Sequence, residues 1–166
     1  MPPLQIVFLV ASAATLVSGL LVVVSRNLIH AALWLIVTLF MVAVLFVLLE
    51  AGFLATVQVV LYIGAIAIMI IFAVMLTRRV MKDPGPQTNK QWWLAALVSL
   101  AIFAALAAIL FQVPWTVTNA SVSPDSLTDL GKSLVDTNRF VLPFEVASVL
   151  LIAALIGSIV IAGGRD

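Results

Sequence analysis

The chain has 166 residues, of which 64% are hydrophobic and 9% charged, with a formal net charge of +1 and a mean hydropathy of +1.30. A water-soluble domain carries charge on about one quarter of its residues because its shell must be wet; here the charges are too few, so the solvent for most of the chain is lipid. No basic face is left for nucleic acid, and the absence of cysteine excludes disulfides, iron–sulfur clusters and thiolate metal sites built by this chain.

In lipid every backbone N–H and C=O must be paired internally, which leaves helices or a closed barrel. Barrel strands alternate in polarity over about ten residues, whereas this sequence runs through long uncharged blocks. The expected fold is therefore all-α, a single polytopic membrane domain of five transmembrane helices. Each span needs about 20 residues, the ~30 Å of hydrocarbon divided by a ~1.5 Å rise.

The first span runs from Leu4 to Val24 (4–24) and ends at Ser25-Arg26-Asn27. The Met1-Pro2-Pro3-Leu4-Gln5 start lacks the positive residues of a secretory signal, so this segment is expected to stay as a helix. The second span covers 28–49. The third begins near Gly52 and covers 52–77, with Thr77-Arg78-Arg79 as its stop. Between Leu28 and Leu76 the one formal charge is Glu50. A single helix over that stretch would exceed ~70 Å, more than twice the hydrocarbon thickness. The chain must turn back at Glu50-Ala51-Gly52, where a charge can meet water and a glycine can bend.

The fourth span covers 92–112. Trp92 and Trp93 at one end lie ~33 Å from Trp115 at the other, which matches two interfacial aromatic belts. Residues 113–141 turn polar and form a loop, with a short amphipathic piece around Ser126 to Val135. The fifth span covers 142–162 and opens with Leu142-Pro143. Five spans gather Arg26, Arg78, Arg79, Lys82, Lys90 and Arg165 on one side, against Lys132 and Arg139 beside Asp125, Asp129 and Asp136 on the other. The positive-inside rule makes the first side cytoplasmic, with the N-terminus and the 113–141 loop outside and the C-terminus in the cytoplasm.

The third span carries the informative side chains. Tyr62 falls near mid-membrane, where its hydroxyl needs a partner. Gln58, four residues earlier, shares its face on a regular helix. Two polar groups one turn apart in hydrocarbon mark an internal seam, either bonding helices together or lining a thread of water and protons. Gly64, with Ala65 and Ala67, serves either close helix packing or a local change of helical pitch of the π-bulge kind.

Glu50 and Glu145 are helix-end acids expected to be structural. Glu50 faces water in the turn, and Glu145 sits in the first turn of the fifth span, where a carboxylate suits the helix dipole and its free N–H groups. Pumping subunits hold ionisable groups deep in the bilayer, and no span here has one at its centre. The chain is not expected to pump alone. His30 is the single histidine, too few for a haem or zinc site of the chain's own. Ala154, Ser158 and Ala162, with Ala153 and Gly157, give the fifth span a small-residue stripe suited to packing in an assembly.

Three segments carry a family resemblance. Arg26-Asn27-Leu28-Ile29-His30-Ala31-Ala32-Leu33 resembles the start of the second helix in subunit J of bacterial NADH–quinone oxidoreductase, counterpart of mitochondrial NADH dehydrogenase subunit 6 in respiratory complex I. Phe53 to Ile66, reading FLATVQVVLYIGAI, resembles its most diagnostic stretch, and Pro143-Phe144-Glu145-Val146-Ala147-Ser148-Val149-Leu150-Leu151 the start of its last helix. The resemblance covers most of the chain, with the fourth helix and the loop matching poorly.

That resemblance implies a non-redox subunit of the membrane arm, lying between the quinone module and the antiporter-like pumps, in a bacterial inner (plasma) membrane. FMN, iron–sulfur clusters and quinone are expected on partner subunits, with none on this chain. The partners are other membrane subunits resembling K, A, H and N. In the family the third helix can carry a π-bulge whose rotation is associated with a hydrated path toward subunit K. Carried over, Tyr62 and Gly64 become gate residues and Gln58 a lining residue. Some family members have Glu where this chain has Gln58. Gln donates and accepts hydrogen bonds but does not titrate at physiological pH, so a water-ordering role survives there and a titrating one does not. The alternatives are a purely structural or assembly subunit of the same or a related complex, ferredoxin-dependent or otherwise, and a small independent transporter. The last is disfavoured because no paired broken helices, inverted repeat or central charge are visible.

Overall fold

The structure, a computed structural model, describes residues 3–77, 91–114 and 125–163. Arg78, Arg79, Lys82, Lys90, Trp115 and Arg165, on which the orientation and one aromatic belt rest, lie outside the described residues. Among the described residues five helices are long and apolar enough to cross a membrane: α1 (Pro3–Val24), α2 (Leu28–Leu48), α3 (Gly52–Leu76), α4 (Trp92–Gln112) and α6 (Val141–Gly163). A shorter α5 (Ser126–Val135) precedes the last. The chain divides into two compact units, Met1–Pro114 and Trp115–Asp166.

In the first unit α1, α2 and α3 pack in sequence order. Asn27 is extended and starts α2 by accepting the Ile29 N–H on Oδ1 at 2.9 Å, which satisfies one of the free N–H groups at the helix start. The reversal between α2 and α3 differs from the sequence expectation in one respect. The left-handed residue is Glu50 itself, at φ 58, and no glycine among the described residues has positive φ. The Glu50 N–H donates to the Val47 carbonyl at 3.0 Å and the Ala51 N–H to the Phe46 carbonyl at 2.9 Å. This pair of bonds closes a helix C-terminus in the pattern that usually places glycine at the left-handed position. Glu50 is exposed, as the turn requires, and Gly52 opens α3 instead of making the bend.

Packing in this unit runs through small side chains. Ala11, Ala32, Ala43, Ala55 and Ala67 are the buried apolar residues among those described, joined by buried Ser18 and Gln58. Alanine-sized contacts let helix backbones approach closely, which is how helices associate when lipid removes the hydrophobic drive between them. Many leucines, valines and phenylalanines of this unit are exposed, while others, such as Leu35, Leu39 and Phe46, are half-buried.

In the second unit α5 and α6 pack together. Helix α6 starts at Val141, one residue earlier than expected, and the Phe144 N–H already bonds the Phe140 carbonyl at 3.2 Å. Glu145 is exposed and lies just beyond the first turn, not within it as expected.

Candidate functional site

Helix α3 is regular only at its ends. Gly52–Val57 and Ile68–Leu76 are α-helical, while Gln58–Ala67 forms ten residues of π-helix. A π turn closes i→i+5 instead of i→i+4, accommodating one extra residue per turn, and such turns gather at functional sites, mostly as single turns. Ten residues exceed that usual length. The segment reads QVVLYIGAIA and so contains all three residues singled out in this span.

The extra residue is visible in which side chains turn inward. Ala55 and Gln58 are buried, Ile63 is half-buried, Ala67 is buried, and Ile71 and Val74 are half-buried. The steps of three and four belong to an α-helical face; the step from Gln58 to Ile63 is five. On a regular helix Tyr62 would take that inward place. Gln58 is 7% exposed, whereas Tyr62 is 46% exposed. The two polar groups expected on one face are separated.

Gln58 faces α2. Its Nε2 donates to the Leu39 carbonyl at 3.5 Å, at the long limit for such a bond. One residue earlier on α2, the Thr38 hydroxyl lies within donating distance of Ser18 Oγ on α1, at 3.0 Å, and of the Trp34 carbonyl, at 2.9 Å. Ser18, 2% exposed, donates onward to the Ala14 carbonyl at 2.7 Å. The middle of α2 is thus bonded to α1 on one side and α3 on the other. Sequence reading passed over Ser18 and Thr38, although hydroxyls inside long apolar runs are the available signal for such a seam.

Tyr62 is 46% exposed, near the middle of a 25-residue span, and its hydroxyl makes no hydrogen bond among the described residues. Gly64 is exposed as well, and a Cβ built there would meet the Val59 carbonyl oxygen at 3.5 Å, an ordinary contact. Among the described residues, no other helix of the first unit comes within 4 Å of that Cβ. Beside the π segment, an apolar groove of about 410 Å³ runs between α2 and α3, lined in part by Phe40, Ala43, Ala55 and Val59. Glu50 is exposed in the turn that precedes α3 and lies outside this segment, and Glu145 belongs to the second unit.

Comparison with known proteins bears on this geometry. The chain is 39% identical to the F(420)H(2) dehydrogenase subunit J of Methanosarcina mazei, over 96% of this chain and 90% of that one. It is 37% identical to the NAD(P)H-quinone oxidoreductase chain 6 of Leptolyngbya boryana, over 93% and 77%. A protein of the same name from Synechocystis is 33% identical over 93% and 78%. The family model for NADH-ubiquinone/plastoquinone oxidoreductase chain 6 matches residues 18–161, from the buried serine of α1 to the end of α6. With α3 and its neighbours inside that match, this chain belongs to the NADH-ubiquinone/plastoquinone oxidoreductase chain 6 family.

Proposed function

We propose that the chain is a non-redox membrane subunit of a proton-translocating quinone oxidoreductase, and that it couples quinone reduction to proton movement by a change of register in α3. The carrying observation is the five-residue step inside Gln58–Ala67, which leaves Gln58 held against α2 and Tyr62 turned outward. Moving the extra residue from before Ile63 to beyond it would turn Tyr62 by ~100°, one helical position, into the place Ile63 holds. Bistable packing of this kind converts a small local shift into two discrete states. A tyrosine hydroxyl without a partner in hydrocarbon is costly, and a neighbouring subunit or a thread of water supplies what α3 itself does not. Gln58 orders that thread or holds α2 without titrating.

The partners in this reading are membrane subunits resembling K, A, H and N. FMN, iron–sulfur clusters and quinone belong to other subunits of the complex, in keeping with a chain that has no cysteine for a cluster. The relatives are named for F(420)H(2) and for NAD(P)H, so the subunit type serves more than one electron donor. We place the chain in the plasma membrane with its N-terminus outside and C-terminus in the cytoplasm, on the asymmetry of Lys and Arg.

The test is Tyr62→Phe in the assembled complex in sealed vesicles. Proton movement coupled to quinone reduction is expected to fall while the complex assembles in normal amount. Loss of the whole complex would instead favour a purely structural subunit, a reading supported by the alanine-lined contacts that leave many large side chains for neighbours. Purification through a tag on this chain in mild detergent, followed by assay of donors, identifies the partners and the donor.

A further inference from the structure

The segment from Ser126 to Phe140 plays no part in the register change, yet its side chains are sorted with care. At ~100° per residue, Leu127, Leu130 and Leu134 fall on one side of α5, flanked by Gly131 and Val135. Ser126, Thr128, Asp129, Lys132 and Ser133 fill the opposite arc. Leu127 and Leu130 remain 51% and 44% exposed.

We propose that α5 is an interfacial helix, lying along the lipid–water boundary with its leucine face in the acyl-chain margin and fixing the depth at which α6 enters the bilayer. What selects lipid as the occupant is the tether. Arg139 Nη1 donates to Ser133 Oγ at 2.9 Å, and the Phe140 N–H to the Ser133 carbonyl at 3.1 Å. Asp136 Oδ1 accepts the Asn138 N–H at 2.9 Å, and the Asp136 carbonyl the Arg139 N–H at 3.1 Å. These bonds fold the link between α5 and α6 onto the end of α5. Even fully extended, the five residues from Asp136 to Phe140 would reach only ~17 Å. Helix α6 is a membrane-spanning candidate that begins at Val141, so the bilayer margin is always within reach of α5. Immersion is intramolecular and needs little affinity of its own.

The polar groups agree with that placement. Asp129 in the first turn and Lys132 in the last complement the helix dipole and stay on the watery arc. Asp136 and Arg139, 3.8 Å apart with side chains 44% and 61% exposed, sit where headgroups and water meet a span. An amphipathic helix with a continuous apolar arc and a charged opposite face is the form that lies in an interface without crossing it. The proposal is independent of the register change in α3.

The test uses the complex reconstituted in phosphatidylcholine–phosphatidylglycerol vesicles, with nitroxide labels at Leu127→Cys, Leu130→Cys, Thr128→Cys and Lys132→Cys in separate variants. This chain has no cysteine, so the parent complex gives the background. At Leu127 and Leu130 the label is expected to collide with lipid-partitioned oxygen and to be shielded from a water-soluble nickel chelate, with the reverse at Thr128 and Lys132. Equal access of the chelate to all four sites would overturn the proposal, as would leucine sites closed to both reagents, which would assign this face to a protein partner.

Discussion

The two faces of α2 hold their neighbours in different ways. Toward α1 both helices are regular, and the link is a short hydroxyl pair, Thr38 to Ser18 at 3.0 Å. Toward α3 the neighbour is π-helical over ten residues, and the link is a long amide bond, Gln58 to Leu39 at 3.5 Å. Both contacts rest on buried alanines, so the size of the packed side chains is not what differs. The difference is one surplus residue in α3. In the proposed register change the first interface stays and the second is rearranged, and each of the following variants tests that contrast.

The largest effect is expected from deleting Val60. The step from Gln58 to Ile63 then becomes four, the inward face continues as a plain α-helix, and the slack that permits a second register is gone. The complex should assemble and reduce quinone, while protons moved per quinone reduced collapse in sealed vesicles. An unchanged ratio would strip the π segment of any role and end the contrast.

Ser18→Ala probes the fixed side. Thr38 keeps the Trp34 carbonyl as a partner, so the loss belongs at the lower end of the ~0.6–2 kcal/mol range for hydrogen bonds between membrane helices. It should appear as lower thermal stability of the complex in detergent with its coupling ratio intact. A fall in that ratio would show that the α1–α2 seam also moves.

Glu50→Gly sharpens the comparison at the turn joining α2 and α3. The left-handed backbone costs an L-residue about 1–2 kcal/mol that glycine avoids, so a gain of up to about 1 kcal/mol is expected after the glycine's own entropy is subtracted. Thermal unfolding checks it, and a loss of stability would mean that the carboxylate holds something more than the bend. Smallest of all should be Gly64→Ala. Its Cβ meets the Val59 carbonyl oxygen at an ordinary distance, and a change within ~0.5 kcal/mol is expected. A large loss of assembled complex would reveal a helix of another subunit pressed against Gly64.

Sequence reading reached the spans because apolar runs of this length have no other solution in lipid, and it located the α2–α3 reversal from one charge and one glycine. It missed that Glu50 takes the left-handed conformation, because composition names the turn but not the residue that bends. The amphipathic α5 was legible from its alternating leucines and polar residues. Within α3 the signal ran out. A helix in water shows its phase through the boundary between polar and apolar residues, but an 18-residue window of α3 averages a hydropathy of 2.9, so almost nothing marks which side is inner. Gln58 and Tyr62 were the only markers, and their spacing of four implied a shared face for any regular helix. The surplus residue that separates them lies in backbone hydrogen bonding, to which hydropathy is blind.

Among the described residues of the first unit, a buried interior of alanines, one serine and one glutamine has a consequence for the life of the polypeptide. Burial of a bulky side chain normally supplies most of a domain's cohesion, and here many of those side chains are left for whatever surrounds the chain. Its persistence in the cell is then a joint property with its neighbours, as in obligate oligomers whose protomers have no separate stability. Copies made in excess of their partners should be cleared by membrane proteases, which would set the amount of this subunit by the supply of the others.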